Sequence, residues 1–202
     1  HTAVLAKALG LPAVMGVDHV GDLPDDEPIV VDGYQGQVLL SPSPAVHAEF
    51  TKMINVEHSL LKELAKLKDL PAETPDGTRV QLLANTGLLA DMTPGLAHGA
   101  EGIGLYRSEM PFLLRESFPS EEDQYEIYRS VLQTYAGKPV FMRTLDAGSD
   151  KPLPYYPVTE ENPALGWRGV RFTLDHSEVF MTQLRAMLRA SEGLDNMHLM
   201  MP

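Results

Sequence analysis

Arginines at the ends of apolar runs are the first chemistry in this sequence. Arg107 closes the run Gly104-Leu105-Tyr106-Arg107-Ser108-Glu109, and Arg143 falls late in Met142-Arg143-Thr144-Leu145-Asp146. Burying a guanidinium is costly unless it meets an anion. Its planar fork suits a phosphate or a carboxylate. Two such side chains facing one mouth make an anion site; for each, the alternative is a structural ion pair with Glu109, Asp146 or Asp150. Arg168 and Arg171, in Gly166-Trp167-Arg168-Gly169-Val170-Arg171, share a face if helical. They extend the same pocket or form an ion-paired outer face. The loop Asp146-Ala147-Gly148-Ser149-Asp150-Lys151 could sit near a metal or substrate, although acidic turns with glycine are common. His1 stands just ahead of a run of helix formers. A phosphorylated imidazole there would be stabilised by free helix N–H groups, and histidine can act as a nucleophile; the alternative is an arbitrary residue. His19, His47, His58, His98, His176 and His198 follow no metal-ligand spacing and read as surface or structural.

Residues 76–202 supply the frame for these side chains. Runs at 79–85, 102–107, 138–145 and 197–201 read as strands, the last of them short and buried. Between them lie an irregular helix over 87–98 around Pro94, a helix over 121–136 capped by Ser120, and a helix over 178–190. Repeated strand–helix order predicts a parallel sheet with helices outside. Such folds place function at the C-terminal strand ends, where Arg107 and Arg143 fall. Four units in about 127 residues match half of a barrel that usually needs about 250. An open four-stranded sheet is the competing arrangement.

Upstream, Ser43 and Pro44 look like a helix N-cap and first-turn proline. Val46, Phe50, Met53, Leu60, Leu64 and Leu67 then form one apolar stripe, and Pro71 and Pro75 end the pattern. This predicts a long linker helix over 43–70. Residues 1–42 read as a helix over 2–9 ending at Gly10, a short strand over 13–17, an acidic turn, and strands over 29–33 and 36–40 joined by a glycine-containing turn. About 40 residues in such short elements cannot make a core alone, so they read as the tail of a small α/β domain. A helix already under way at the start and a strand cut at Pro202 lead us to expect an internal segment of a larger protein.

Composition narrows the function classes. The chain has 202 residues, 16 basic and 28 acidic, for a net charge of −12, and 44% of it is apolar. That is enough for a packed core. The acidic balance argues against broad nucleic-acid binding but leaves room for a local arginine cluster. The absence of cysteine excludes disulfides, thiolate-bound metals and thiol nucleophiles within these residues. No run approaches the roughly 18 apolar residues of a membrane span, and no leader resembles a secretory signal. The expected location is the cytoplasm.

The same residues resemble a known family. The run Gly99-Ala100-Glu101-Gly102-Ile103-Gly104-Leu105-Tyr106-Arg107-Ser108-Glu109 resembles the phosphoenolpyruvate-binding barrel of enzyme I of the bacterial phosphotransferase system. So do Arg143-Thr144-Leu145-Asp146-Ala147-Gly148-Ser149-Asp150-Lys151, the stretch from Glu161 to Arg171, and Gln183-Leu184-Arg185-Ala186-Met187-Leu188-Arg189-Ala190-Ser191. His1-Thr2-Ala3-Val4-Leu5-Ala6-Lys7 is similar to the second half of that family's phosphohistidine signature. Five ordered matches are more specific than any one.

The resemblance implies an α/β fold in three parts: residues 1–42 from a swivelling phosphohistidine domain, 43–71 as a linker helix, and 72–202 as the first half of a TIM-type (β/α)8 barrel. It implies a phosphoenolpyruvate–protein phosphotransferase. His1 is then the phosphohistidine, Arg107 and Arg143 bind the phosphate of phosphoenolpyruvate, and Arg168 assists. The phosphoryl group would pass on to a histidine-containing phosphocarrier protein (HPr or its nitrogen-branch counterpart). Mg2+ is implied, with ligands expected downstream of residue 202, as are a homodimer in the full-length protein and no turnover by these residues alone. The stretches 115–130 and 171–176 look closest to the nitrogen-regulatory branch, which carries an additional sensory domain. Ser149 and Ser108 depart from the family's usual Gly and Thr, leaving the arginines in place. A relative of pyruvate phosphate dikinase or phosphoenolpyruvate synthase, and a non-catalytic regulatory homologue, are the alternatives.

Overall fold

Four short runs between residues 84 and 200 pair side by side, all in one direction. A computed structural model describes residues 3, 6, 10–89, 92–157, 159–162 and 165–202. The expected helix over 2–9 falls largely outside them, and its stop at Gly10 adopts φ 67°.

The chain divides into two compact units, His1–Leu70 and Pro71–Pro202. In the first, β1 (Ile29–Asp32) and β2 (Gln37–Leu40) form an antiparallel hairpin, Ile29 opposite Leu40. Asp32 Oδ1 accepts from the Tyr34 and Gln35 N–H groups and closes the turn. The predicted strand over 13–17 is absent. Gly16 turns the chain into the left-handed region at φ 71°, and these residues run irregular and mostly exposed. Helix α1 (Pro44–Ala65) begins as expected, with Ser43 Oγ accepting from the Val46 N–H at 3.4 Å. None of its residues is buried.

The second unit holds β3 (Ala84–Thr86), α2 (Met92–Ala97), β4 (Ile103–Arg107), α3 (Met110–Leu113), α4 (Glu121–Thr134), β5 (Val140–Arg143), α5 (Val170–Asp175), α6 (Ser177–Ala190) and β6 (Met197–Met200). The sheet order is β3-β4-β5-β6, every neighbour parallel. Helices α4 and α6 cover one face. Tyr128, Val131 and Leu132 from α4, with Tyr135 directly after it, meet Ala186, Met187 and Ala190 from α6 over Ile103, Tyr106, Val140 and Met142 of the sheet. Ser120 and Asp123 form a full capping box at the start of α4. This is the layout of successive units of a (β/α)8 barrel.

Two expectations fail here. The strand predicted over 79–85 pairs only from Ala84 onward, because Arg79 is engaged in an isolated bridge with Glu73 and an ion pair with Glu101. The strand over 197–201 forms as Met197–Met200 but is not buried: three of its residues are exposed, since β6 is the last strand of the sheet.

Candidate functional site

Alternation along β5 sends Val140 and Met142 under the helices, so Phe141 and Arg143 face the other way. On that open face Phe141 stacks on His198 of β6, ring centroids 4.5 Å apart. Arg107 ends β4 as Arg143 ends β5, and the two are register partners. Two cationic side chains thus stand at the C-terminal ends of adjacent parallel strands.

The loops after the strands bring counter-ions to them. Arg143 Nη2 donates to Glu109 Oε1 at 2.6 Å, and Nη1 lies 3.1 Å from Asp146 Oδ2. Arg168 Nη2 donates to Asp146 Oδ1 at 3.1 Å and Nη1 to Asp150 Oδ2 at 3.1 Å. Lys151 Nζ sits 3.2 Å from Asp146 Oδ2 and 3.7 Å from Glu109 Oε1. Glu109 and Asp146 are buried. Burial pushes the Asp146 carboxyl up, but Arg143, Arg168 and Lys151 outweigh it and hold its pKa below the ordinary value. Hydrogen bonding to Asp146 raises Arg168 further above its ordinary value.

Arg143, Arg168 and Lys151 share the three carboxylates Glu109, Asp146 and Asp150, and Arg107 adds a fourth cation at the adjacent strand end, in a chain of net charge −12. The pairing is also uneven. Among the described residues Arg107 forms no ion pair, and its Nε is buried without a hydrogen-bond partner. Arg143 Nε and Glu109 Oε2 are likewise buried and unpartnered. Buried donors without acceptors are rare in folded proteins. On two adjacent arginines, unsatisfied guanidinium donors are of the chemical type that suits an anion.

The loops rest on a second core beneath the strand ends, built from Phe112, Leu145, Ala147, Leu153 and Phe172. Trp167 packs on Phe172 at 5.0 Å, and its backbone N–H donates to Glu160, which fixes the residue before Arg168. Gly148 lets the Arg168 stem pass: a Cβ there would lie 2.7 Å from Arg168 Cβ.

Of the predicted site residues, the structure brings Arg143 and Arg168 together through Asp146 and places Arg107 beside Arg143. Arg171 stands apart: Nη1 donates to the Leu165 and Gly166 carbonyls, so it clamps a loop and does not extend the pocket. His1 lies outside the described residues. Glu109 and Asp146, which the sequence offers only as competitors for the arginines, are the scaffold that holds Arg143 and, through Asp146, Arg168. Lys151 was not singled out from sequence, although its position in the same loop was visible. Among the described residues no group of three or more His, Asp or Glu side chains could hold a metal, and no helix is long and apolar enough to cross a membrane.

Comparisons with known proteins bear on this arrangement. Residues 61–202 match the family described as "PEP-utilising enzyme, PEP-binding domain", and residues 1–36 match "PEP-utilising enzyme, mobile domain". The chain is 44% identical over 202 residues to the "Phosphoenolpyruvate-dependent phosphotransferase system" of Escherichia coli (strain K12), covering 100% of the chain and 27% of that protein. It is 45% identical over 193 residues to the "Phosphoenolpyruvate-protein phosphotransferase" of Staphylococcus carnosus (strain TM300), covering 95% of the chain and 34% of that protein. For the protein of the same name from Bacillus sp. (strain S) the identity is 42% over 204 residues, with 35% of that protein covered. The chain therefore spans about a third or less of the curated relatives it matches.

Proposed function

The chain belongs to the PEP-utilising enzymes, and on that premise we propose that it is part of a phosphoenolpyruvate–protein phosphotransferase. The observation that carries this is the register pair Arg107 and Arg143, with an unpartnered, buried Nε on each. The phosphate of phosphoenolpyruvate binds across this pair, with Arg168 presented by Asp146 at its side. Lys151 adds positive charge. In phosphoryl transfer, catalysis is mostly positioning and charge neutralisation, and two strand-end arginines with Arg168 and Lys151 from the following loops supply the cations for both.

The acceptor in this reading is His1. The phosphorus–oxygen bond of the donor breaks as a phosphorus–nitrogen bond forms on the imidazole. Pyruvate leaves as its enolate and takes a proton. The phosphoryl group then passes to a phosphocarrier protein of the HPr type. Residues 1–42, 43–71 and 72–202 act as mobile phosphohistidine part, linker and donor-binding barrel part. The stretches 115–130 and 171–176 favour the nitrogen-regulatory branch and its carrier. The complete protein is assigned to the cytoplasm as a homodimer, and these 202 residues alone are expected to show no turnover.

Mg2+ would add charge neutralisation on the phosphoryl oxygens. The described residues do not fit it: Asp146, Asp150 and one oxygen of Glu109 are committed to Arg143, Arg168 and Lys151. We place its ligands downstream of residue 202 and route no step through it.

The test uses the complete polypeptide carrying these residues, incubated with phosphoenolpyruvate and magnesium but no ATP. Mass spectrometry at neutral to alkaline pH should find an acid-labile phosphoryl group on His1. Labelling that requires ATP would move the protein to the dikinase or synthase group. No labelling under either condition would refute the reading.

A further inference from the structure

Gln183 lies in the middle of α6 among the buried residues Ala186, Met187 and Ala190, and is itself fully buried. A primary amide on an apolar helix face must find its partners inside the protein. Gln183 finds them at both strand ends that carry the arginines. Its Oε1 accepts from the Leu145 backbone N–H at 2.8 Å. Its Nε2 donates to Ser108 Oγ at 3.1 Å and to the Tyr128 hydroxyl at 3.0 Å. Tyr128 in turn donates to Gln124 Oε1 at 3.0 Å, and Gln124 Nε2 donates to the Pro119 carbonyl at 3.0 Å.

The position of these partners is what matters. Ser108 directly follows Arg107, and Leu145 comes two residues after Arg143. The ladder between β5 and β6 ends with the Thr144 N–H donating to the Met200 carbonyl. Leu145 is thus the first residue beyond the ladder, and Gln183 supplies its acceptor. One rigid amide therefore ties the end of β4 to the end of β5 where sheet pairing no longer does so. A packing role would be served by an apolar side chain of the same length; the amide adds direction.

We propose that Gln183 is a positioning residue of the anion site, setting the spacing and aim of Arg107 and Arg143 through Ser108 and Leu145. The inference rests on reading that arginine pair as the phosphoenolpyruvate site. Small displacements of binding groups weaken such sites by large factors.

The test uses the complete polypeptide and three variants, Gln183→Met, Gln183→Glu and Ser108→Ala. Phosphoenolpyruvate affinity, the split between KM and kcat, thermal stability and hydrogen exchange at Leu145 are measured together. Gln183→Met keeps length and burial; it should weaken phosphoenolpyruvate binding about tenfold or more and speed Leu145 exchange. Gln183→Glu keeps the acceptor for Leu145, so it should retain protection there and recover part of the affinity. Ser108→Ala removes one bond and should weaken binding by a smaller factor, which keeps the proposal testable if Gln183→Met does not fold. Wild-type affinity in Gln183→Met and Ser108→Ala, with stability alone reduced, would overturn the inference while leaving the anion site intact. A wild-type protein that does not bind phosphoenolpyruvate would overturn the underlying reading, and this inference with it.

Discussion

Replacing Asp146 by Asn should loosen the whole mouth, because Asp146 is the carboxylate shared by Arg143, Arg168 and Lys151 at 3.1, 3.1 and 3.2 Å. Only 6% of its side chain is exposed. At an effective dielectric of about 20, each pair near 4 Å contributes about 4 kcal/mol of attraction, so three contribute about 12 kcal/mol before desolvation. Desolvation consumes several kcal/mol per buried ion, and removing one partner from a buried pair costs about 3–5 kcal/mol. Asn keeps the shape but turns an amide NH2 toward a guanidinium, so we expect about 3–5 kcal/mol of local destabilisation. Hydrogen exchange by mass spectrometry on the complete polypeptide can localise this. At 1.4 kcal/mol per tenfold, backbone amides near residues 143–148 and 168 should exchange about two to three and a half orders of magnitude faster. Asp150→Asn is the control. Asp150 makes one contact, to Arg168, and its side chain is 35% exposed, which predicts at most about 1 kcal/mol. Equal effects from the two substitutions, or less than about 1 kcal/mol from Asp146→Asn, would refute the shared-carboxylate argument.

Three further outcomes follow from the same geometry. Arg107→Ala should weaken phosphoenolpyruvate binding about a hundredfold, the loss of a charge-assisted pair of bonds, yet change stability by less than about 1 kcal/mol, because no ion pair is lost; calorimetric binding with a parallel melting curve checks both. Gly148→Ala should displace Arg168, since the added Cβ would lie 2.7 Å from Arg168 Cβ, and titration should show weaker phosphoenolpyruvate binding with β5 protection intact. The depressed pKa of Asp146 makes its contribution fully present above the ordinary carboxylate value near 3.9 and lost as pH falls through the lower folded-state value. Stability measured between about pH 5 and 2 should show an acid slope that Asp146→Asn reduces.

Elements set by local rules were legible from residue order. Ser43-Pro44 and Ser120 mark helix starts, and the apolar stripe from Val46 to Leu67 marks α1. β4 and β5 stand where apolar β-formers run between turns. Strand-end position alone nominated Arg107 and Arg143, because parallel sheets concentrate function there. The failures were non-local. The run 13–17 looks like a strand by composition but pairs with no strand among the described residues. The run 79–83 is diverted by Arg79 reaching Glu101, 22 residues away. Gln183 reaches Ser108 across 75 residues, which no spacing rule connects. A signal existed even so: one polar residue on the apolar face of α6 must be satisfied from elsewhere in the fold.

The counter-ions explain how a cationic mouth can exist before its anion arrives. Like charges at adjacent strand ends repel, and buried guanidinium groups without partners would destabilise the sheet. Glu109 and Asp146 remove most of that cost by taking the Nη atoms of Arg143, and Asp146 with Asp150 does the same for Arg168. Full neutralisation would leave nothing for a ligand. The structure stops short of it: the Nε atoms of Arg107 and Arg143 keep their hydrogens unshared, and Arg107 has no counter-ion among the described residues. In the proposed site, a phosphate would find Arg143 and Arg168 already fixed through their Nη atoms by the carboxylates, so less ordering would be lost on binding. This division of labour predicts opposite signatures for the two arginines. Loss of Arg143 should cost both stability and affinity, whereas loss of Arg107 should cost affinity alone. Finding the reverse order in paired melting and binding measurements would place the anion elsewhere.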